Sequence, residues 1–196
     1  VQRVTFQYNI VRHTAGGVNI LGTDNLQPSQ RTNHLTIRHN VFDDMTASAW
    51  GSGSKPFQMG DGPDSVTIDH NTVVTTDATI VSLYGGTLTS PTPITHSAYT
   101  NNLSLHNSYG IFGTGLSAGL ASISAYLADG VVTRNVLAGG PASKYPAGNF
   151  FPTTAAWPSL FVGYAAGDYH LAASSGFVHA GTDGDDLGAD IDTVNA

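Results

Sequence analysis

The chain has 196 residues, with 7 Lys and Arg against 14 acidic residues and a net charge of −7 at pH 7. Phosphate binding needs clustered cations, so this balance excludes a nucleic-acid partner. No apolar run approaches the roughly 18 residues of a membrane span, so no membrane partner is expected either. The absence of Cys excludes disulfides and thiolate metal sites. At this length we expect one domain, residues 1–196.

A six-residue motif recurs along the chain, with alternating apolar and polar residues before a final Asn. Its copies are residues 4–9, 35–40, 66–71, 97–102 and 130–135. Their final residues, Asn9, Asn40, Asn71, Asn102 and Asn135, follow one another at intervals of 31, 31, 31 and 33 residues. The alternation is typical of a strand with one buried face.

A second strand is predicted after each of the first four motifs, over residues 17–22, 56–60, 79–84 and 109–112. Strands at a constant period with long, variable connections are typical of a solenoid whose coils stack in register. We therefore predict an all-β fold, a single-stranded parallel β-helix solenoid of about five coils with loop insertions. Residues 1–140 form the stacked coils, and 141–196 form a C-terminal coil and capping segment.

Each repeated Asn is predicted to turn a corner in the left-handed backbone conformation and to hydrogen-bond to the Asn of the next coil. This asparagine ladder is a structural prediction. One segment departs from the β pattern, because Leu116, Leu120, Ile123 and Leu127 fall at helical spacing. We expect a short helix there, packed on the flank of the coil.

The motifs at 4–9, 35–40 and 66–71 resemble the parallel β-helix repeats of pectate-lyase-like proteins, a superfamily of extracellular polysaccharide lyases, hydrolases, epimerases, adhesins and phage tailspikes. Residues 145–151, 167–171 and 180–192 are similar to the ending of many secreted bacterial right-handed β-helix proteins. The resemblance implies a right-handed coil and a secreted, extracellular bacterial protein. It also implies a natural C-terminus and a truncated N-terminus, where missing upstream coils or another chain would cover the first coil.

The first candidate site lies on the polar positions of two motifs. Stacking places Arg38 one coil from Asp69, and His39 beside His70, so that a cation, an acid and two imidazoles converge. A polysaccharide lyase needs a base for the sugar C5 proton and a cation to neutralise the uronate carboxylate. The alternative is an ion pair between Arg38 and Asp69 with solvated His side chains at the corners.

A second candidate patch follows the corner of the first two coils. Arg12 aligns with Asp43, and His13 aligns with Asp44, while His106 falls at the same register two coils beyond Asp44. A His/Asp pair beside an Arg/Asp pair can orient a general base. An ordinary surface network explains the same residues equally well.

The family's catalytic motifs are incomplete in this chain. Asp43-Asp44 and residues 22–24 echo two motifs of the polygalacturonase hydrolases, but their spacing is much shorter than one coil and the other motifs are absent. We expect no cofactor, with one open alternative: Asp183, Asp185 and Asp186 offer hard oxygen ligands for Ca²⁺. They lack the closing Glu of an EF-hand loop, so a charged capping turn is the competing interpretation.

We therefore predict a secreted bacterial β-helix segment that binds an extended polysaccharide or oligosaccharide along one face. One alternative is a polysaccharide lyase or hydrolase whose catalytic set is incomplete in this fragment. The other is a non-catalytic structural or adhesin stalk. The sequence leaves open whether the protein is an enzyme.

Overall fold

The computed structural model describes residues 1–24, 26–27, 29–51, 53 and 55–196, which fold as a parallel β-solenoid. Its strands are β1 (Gln2–Gln7), β2 (Ile10–Val11), β3 (Gly16–Leu21), β4 (Asn33–Arg38), β5 (Val41–Phe42), β6 (Lys55–Gly60), β7 (Asp64–Asp69), β8 (Thr72–Val73), β9 (Thr79–Tyr84), β10 (Gly86–Thr87), β11 (Ser90–Pro91), β12 (Ala98–Thr100), β13 (Leu103–Leu105), β14 (Gly110–Gly113), β15 (Val131–Thr133), β16 (Val136–Ala138), β17 (Phe161–Gly163) and β18 (Asp168–Leu171). The α-helices are α1 (Ala47–Trp50), α2 (Leu120–Tyr126) and α3 (Ile191–Val194), and the 3₁₀ helices are Ala142–Lys144, Thr154–Leu160 and Tyr164–Ala166. None of the described helices is long and apolar enough to cross a membrane.

Three sheets form the walls of the solenoid. The first joins β1, β4, β7, β12 and β15, the second joins β2, β5, β8, β13 and β16, and the third joins β3, β6, β9 and β14. All pairings within these sheets are parallel, which confirms the predicted parallel β-helix. The third sheet has one strand fewer than the others, so the fold makes about 4 turns rather than the predicted five.

The first sheet holds the repeated motifs in the predicted alignment. Leu35 pairs with Val4 of the preceding turn and with Val66 of the following turn. Ile68 pairs in the same way with Tyr99. The interval of 31 residues is therefore the length of one turn, and residues one interval apart are neighbours in space.

The second sheet is the part of the wall that the sequence did not predict. Its strands have two or three residues and begin directly after a ladder Asn. So short a strand cannot carry an alternating pattern. The predicted second strands correspond to the third sheet, within one residue at each boundary.

The main core lies inside the solenoid, where all three walls contribute side chains. Phe42 of the second sheet and Phe57 of the third meet edge to face with ring centroids 5.0 Å apart. Phe57 also meets Tyr99 of the first sheet at 6.3 Å. Burial of each such ring stabilises the fold by roughly 1.5–3 kcal/mol.

The predicted asparagine ladder is present and connects adjacent turns. The Nδ2 atom of each Asn donates to Oδ1 of the next, over 2.9 Å from Asn9 to Asn40 and 3.0 Å from Asn40 to Asn71. Oδ1 also accepts from the backbone N–H of the preceding Asn, as between Asn40 and Asn71 at 3.1 Å. A further rung to Asn149 was missed because it lies only 14 residues after Asn135.

The backbone prediction for these residues was wrong by one position. The left-handed residue is the one before each ladder Asn, with positive φ of 57° at Tyr8, 51° at His39, 48° at His70, 58° at Asn101 and 58° at Arg134. A single left-handed residue bends the chain between the first and second sheets. The following Asn side chain can then point inward, where Asn40, Asn71, Asn102 and Asn135 are fully buried.

The predicted helix is α2, over Leu120–Tyr126. Ile123 and Leu127 are buried against the coil as expected, whereas Leu120 is exposed. Ser122 anchors the helix, because its hydroxyl accepts a hydrogen bond from the Gly113 N–H at 2.8 Å. The predicted flank packing is therefore present for the C-terminal half of the helix.

The C-terminal segment, residues 150–196, packs on the outer face of the second sheet and forms a second hydrophobic core with it. Trp157, Phe177 and Leu187 of this segment are buried together with Leu103 and Val136 of the sheet. Gly188 allows the closest approach, because a Cβ there would lie 2.5 Å from Leu103 Cδ1 and its φ is +85°. The chain thus returns from the last turn towards the first.

Removal of a central ladder side chain is expected to cost more than removal of the terminal one. Asn71→Ala leaves buried hydrogen-bonding groups without partners on Asn40, on Asn102 and on two backbone carbonyls. We therefore expect a loss of about 3 kcal/mol in the free energy of unfolding. Asn9→Ala is the matched control at the half-exposed end, with an expected loss of about 1 kcal/mol. Urea unfolding of both variants measures the difference; equal losses would contradict a cooperative ladder.

Candidate functional site

The left-handed residues before the ladder form an outward-facing row, which we call the corner row: Tyr8, His39, His70, Asn101 and Arg134. The first three rings stack across the turns. Ring centroids are 5.2 Å apart between Tyr8 and His39 and 5.0 Å apart between His39 and His70. The spacing follows from strand separation in the adjacent sheet.

The C-terminal segment crosses the corner row and fixes its position there. Asn101 and Thr182 exchange two hydrogen bonds of 2.9 Å, one through each Asn101 amide atom. The Gly188 N–H donates to the Asn101 carbonyl at 2.8 Å, and the Ala189 N–H donates to Thr72 Oγ1 at 3.0 Å. Asn101 is buried beneath this crossing, whereas Tyr8 and His39 stay partly accessible.

A cleft of about 380 Å³ lies between the stacked rings and the C-terminal segment. Its size is within the usual range for ligand sites. The residues that line it are Tyr8, His39, His170, Leu171, His179, Asp185, Asp186, Leu187, Gly188, Ala189, Asp190, Ile191 and Asp192. Four carboxylates and three imidazoles thus face one space, and no Lys or Arg is among the described lining residues.

The electrostatics of the cleft oppose a charged imidazole at His39. Burial lowers the pKa of His39, and the neighbouring charges of His70 and Arg38 lower it further. Hydrogen bonds from Thr193 lower the pKa of Asp190. This side of the cleft therefore presents a neutral ring opposite an ionised carboxylate at neutral pH.

His170 forms the other wall of the cleft between two carboxylates. Its Nδ1 contacts Asp168, and its Nε2 lies 3.1 Å from Asp192 Oδ1. The hydrogen bond to Asp168 is the main cause that raises the pKa of His170. These two contacts join β18 to helix α3, which carries Asp192.

The four residues of the first predicted patch are neighbours, but they make different contacts from those predicted. Arg38 and Asp69 are register neighbours as predicted, but Arg38 Nε donates to Gln7 Oε1 at 2.9 Å. Asp69 instead accepts hydrogen bonds from Thr100, Asn101 and His70, which outweigh burial and lower its pKa. The predicted pairing of His39 with His70 is present, and of these four residues only His39 lines the cleft.

The second predicted patch exists as an ordered network. Arg12 lies 3.3 Å from Asp43, and His13 lies 3.4 Å from Asp44. Tyr169 of the C-terminal segment donates its hydroxyl to Asp43 at 2.8 Å, which the sequence did not predict. A shallow depression of about 320 Å³ adjoins Asp43 and Asp44. His106 is buried elsewhere, packed edge-on against Tyr145.

The acidic tail residues divide between two locations. Asp185 and Asp186 line the cleft, while Asp183 points towards His70. Local hydrogen bonds occupy part of this turn, since Asp183 accepts from the Asp185 N–H and Asp186 accepts from the His179 N–H. These hydrogen bonds are those of a capping turn, and a Ca²⁺ site at the three carboxylates stays a prediction.

The repeat pattern does not predict the position of several residues that line the cleft. His170, His179, Asp190 and Asp192 lie outside the repeat, so the 31-residue register could not place them. Tyr8 lies within the first motif, but the repeat predicts no partner for it across the cleft. The missing signal was the return of the C-terminal segment, a long-range contact that leaves no local pattern.

The cleft combines stacked rings with several hydrogen-bond acceptors, an arrangement suited to polar ligands with an apolar face. No protein-family model, curated protein or solved structure matches this chain.

The raised pKa of His170 predicts how its contacts with Asp168 and Asp192 depend on pH. Its folded pKa exceeds 6.5, so the ion pairs contribute fully below about pH 6.5 and are lost as pH rises through the folded value. Because Asp192 is 93 % exposed, the effect on global stability should be small. We therefore expect it in an NMR titration of the His170 ring, where Asp168→Asn lowers the pKa. An unchanged pKa in this variant would refute the assignment.

Proposed function

We propose that the cleft binds a glycan, with one sugar ring on Tyr8, the end ring of the stack, whose outer face is not covered by another described ring. The observation that supports this most strongly is the position of the stacked rings opposite several carboxylates of the C-terminal segment. The apolar face of a pyranose packs on an aromatic ring, and the carboxylates accept hydrogen bonds from its hydroxyls. The chain is a parallel β-solenoid, and the cleft follows its corner across two turns.

The charge of the cleft restricts the class of glycan. Asp185, Asp186, Asp190 and Asp192 line it without a described Lys or Arg. A uronate would bring a further negative charge without a cation to balance it, which costs free energy in a partly buried site. The proposed ligand is therefore a neutral or amino-containing oligosaccharide, and not the acidic polymer that a lyase acts on.

The two alternatives predict different results. A lyase requires a cation beside the substrate carboxylate, and Arg38, the predicted candidate, is engaged with Gln7 outside the cleft. A hydrolase could use two of the carboxylates as acid and base. A stalk predicts no ligand at all. Release of reducing ends from a bound oligosaccharide would favour the hydrolase.

We also propose that the protein is exported. The resemblance to pectate-lyase-like proteins implies an extended extracellular polysaccharide as the partner. The support is the repeat pattern and the solenoid fold. Detection of the protein in the culture medium of its bacterial source would support secretion. Retention of all of it inside the cell would contradict this part of the proposal.

A glycan array, followed by calorimetry on the best ligand, tests binding directly. We expect Tyr8→Ala to weaken binding about ten-fold, because one stacking surface is lost. Asp185→Asn should weaken binding as well, since its carboxylate lines the cleft. Tyr109→Ala is the matched control, because Tyr109 is an exposed ring outside the cleft.

Arg38→Ala separates this site from the patch predicted by sequence alone. Arg38 does not line the cleft, so binding should be unchanged in this variant. A loss in Arg38→Ala with full binding in Tyr8→Ala would move the site to the original patch. Absence of binding to every neutral and amino-containing glycan would leave the stalk as the better description.

A further inference from the structure

His70 has an unusual environment for a corner residue. Its side chain is 1 % exposed, and its Nδ1 lies 2.9 Å from Asp69 Oδ2. The Asp69 carboxylate accepts the hydrogen bond from Nδ1, so Nε2 is the ring nitrogen that points away from Asp69 and is open to a further partner. Among the described residues, Nε2 has no hydrogen-bond partner.

The Nε2 atom of His70 faces another acceptor instead of a donor. Asp183 Oδ1 lies 3.6 Å away on the C-terminal segment. One potential metal-ligand atom from each of Asp69, His70 and Asp183 lies within 4.8 Å of the other two. A buried ring nitrogen without a hydrogen-bond partner is unfavourable. A cation between Nε2 and the Asp183 carboxylate, either a proton or a metal ion, gives both atoms a partner.

The local geometry also leaves space beside these atoms. Gly181 has no side chain where a Cβ would lie 2.6 Å from Asp183 Oδ1 and 3.2 Å from His70 Nε2. Two ligands of a tetrahedral zinc ion with bonds of about 2.0–2.1 Å are separated by about 3.3 Å. The observed 3.6 Å between Nε2 and Oδ1 is close to this separation.

We propose that His70 Nε2 and the Asp183 carboxylate bind a divalent zinc ion, which joins the C-terminal segment to the corner row. Asp69 is the positioning residue, since its hydrogen bond fixes the tautomer and orientation of the His70 ring. Asp183 is 48 % exposed, so water completes the coordination. An imidazole ligand favours zinc over Ca²⁺, which prefers oxygen ligands alone.

This proposal is independent of the glycan proposal, because neither His70 nor Asp183 lines the cleft. It also differs from the predicted Ca²⁺ site at Asp183, Asp185 and Asp186, which contains no nitrogen ligand. A failure of zinc binding would leave the glycan proposal standing, and a failure of glycan binding would leave the zinc proposal standing.

The chain contains a matched control for this arrangement. His96 lies between two carboxylates, with Nδ1 2.8 Å from Asp64 and Nε2 3.9 Å from Asp129. Its side chain is 72 % exposed, so water solvates Nε2 and no buried lone pair favours a metal. Asp129→Asn and Asp183→Asn are therefore the same chemical change beside an exposed and a buried imidazole.

Titration of the full chain with zinc chloride in a calorimeter tests the proposal. We expect one zinc ion per chain, at least about ten-fold weaker binding in Asp183→Asn, and unchanged binding in Asp129→Asn. Asp69→Asn should weaken binding by about ten-fold while leaving both ligands in place. Because His70→Gln alters a buried residue and can impair folding, the half-exposed Asp183 gives the decisive variant.

An ¹⁵N NMR spectrum of the histidine rings identifies the ligand atom. Zinc should shift the Nε2 signal of His70 and leave the His96 signals unchanged. The proposal is overturned by any of three results: no zinc binding, equal binding in wild type and Asp183→Asn, or displacement of zinc by an equal concentration of Ca²⁺. The last result would mean an oxygen-only acidic site.

Discussion

The hydrogen bonds between ladder asparagines are the constraint on which the rest of the structure depends. Each rung uses both amide atoms of a buried Asn, so adjacent turns can stack in only one register. A slip of one residue would leave buried amides unpaired and would turn the core side chains outward. The nearly constant interval between these Asn residues in the sequence follows from this requirement.

The same corner produces the candidate sites. The chain must bend before each Asn, and the residue that bends it takes a left-handed conformation with its side chain outward. Tyr8, His39 and His70 occupy that position in successive turns, so their rings stack. A structural need thus places aromatic side chains in a regular row, and the C-terminal segment supplies the carboxylates that face them.

Sequence reasoning placed the strands of the first and third sheets, the ladder, and the contacts of Arg12 with Asp43 and His13 with Asp44. These features depend on the repeat, whose register can be read along the chain. The repeat placed Arg38 beside Asp69, but it did not predict that Arg38 donates to Gln7 instead. Side-chain pairing depends on local competition among hydrogen-bonding groups, which the repeat does not specify. The short second sheet was missed because two residues contain no period.

The sequence by itself determined the coil, since a repeated apolar pattern with a repeated Asn has one stable way to bury its polar groups. It also determined which residues are neighbours in successive turns. Only the tertiary structure decided where residues 150–196 pack, because that contact spans up to 126 positions, as between Tyr169 and Asp43, and depends on complementary surfaces without a local pattern. That packing made the cleft, buried His70 and brought Asp183 to its free nitrogen.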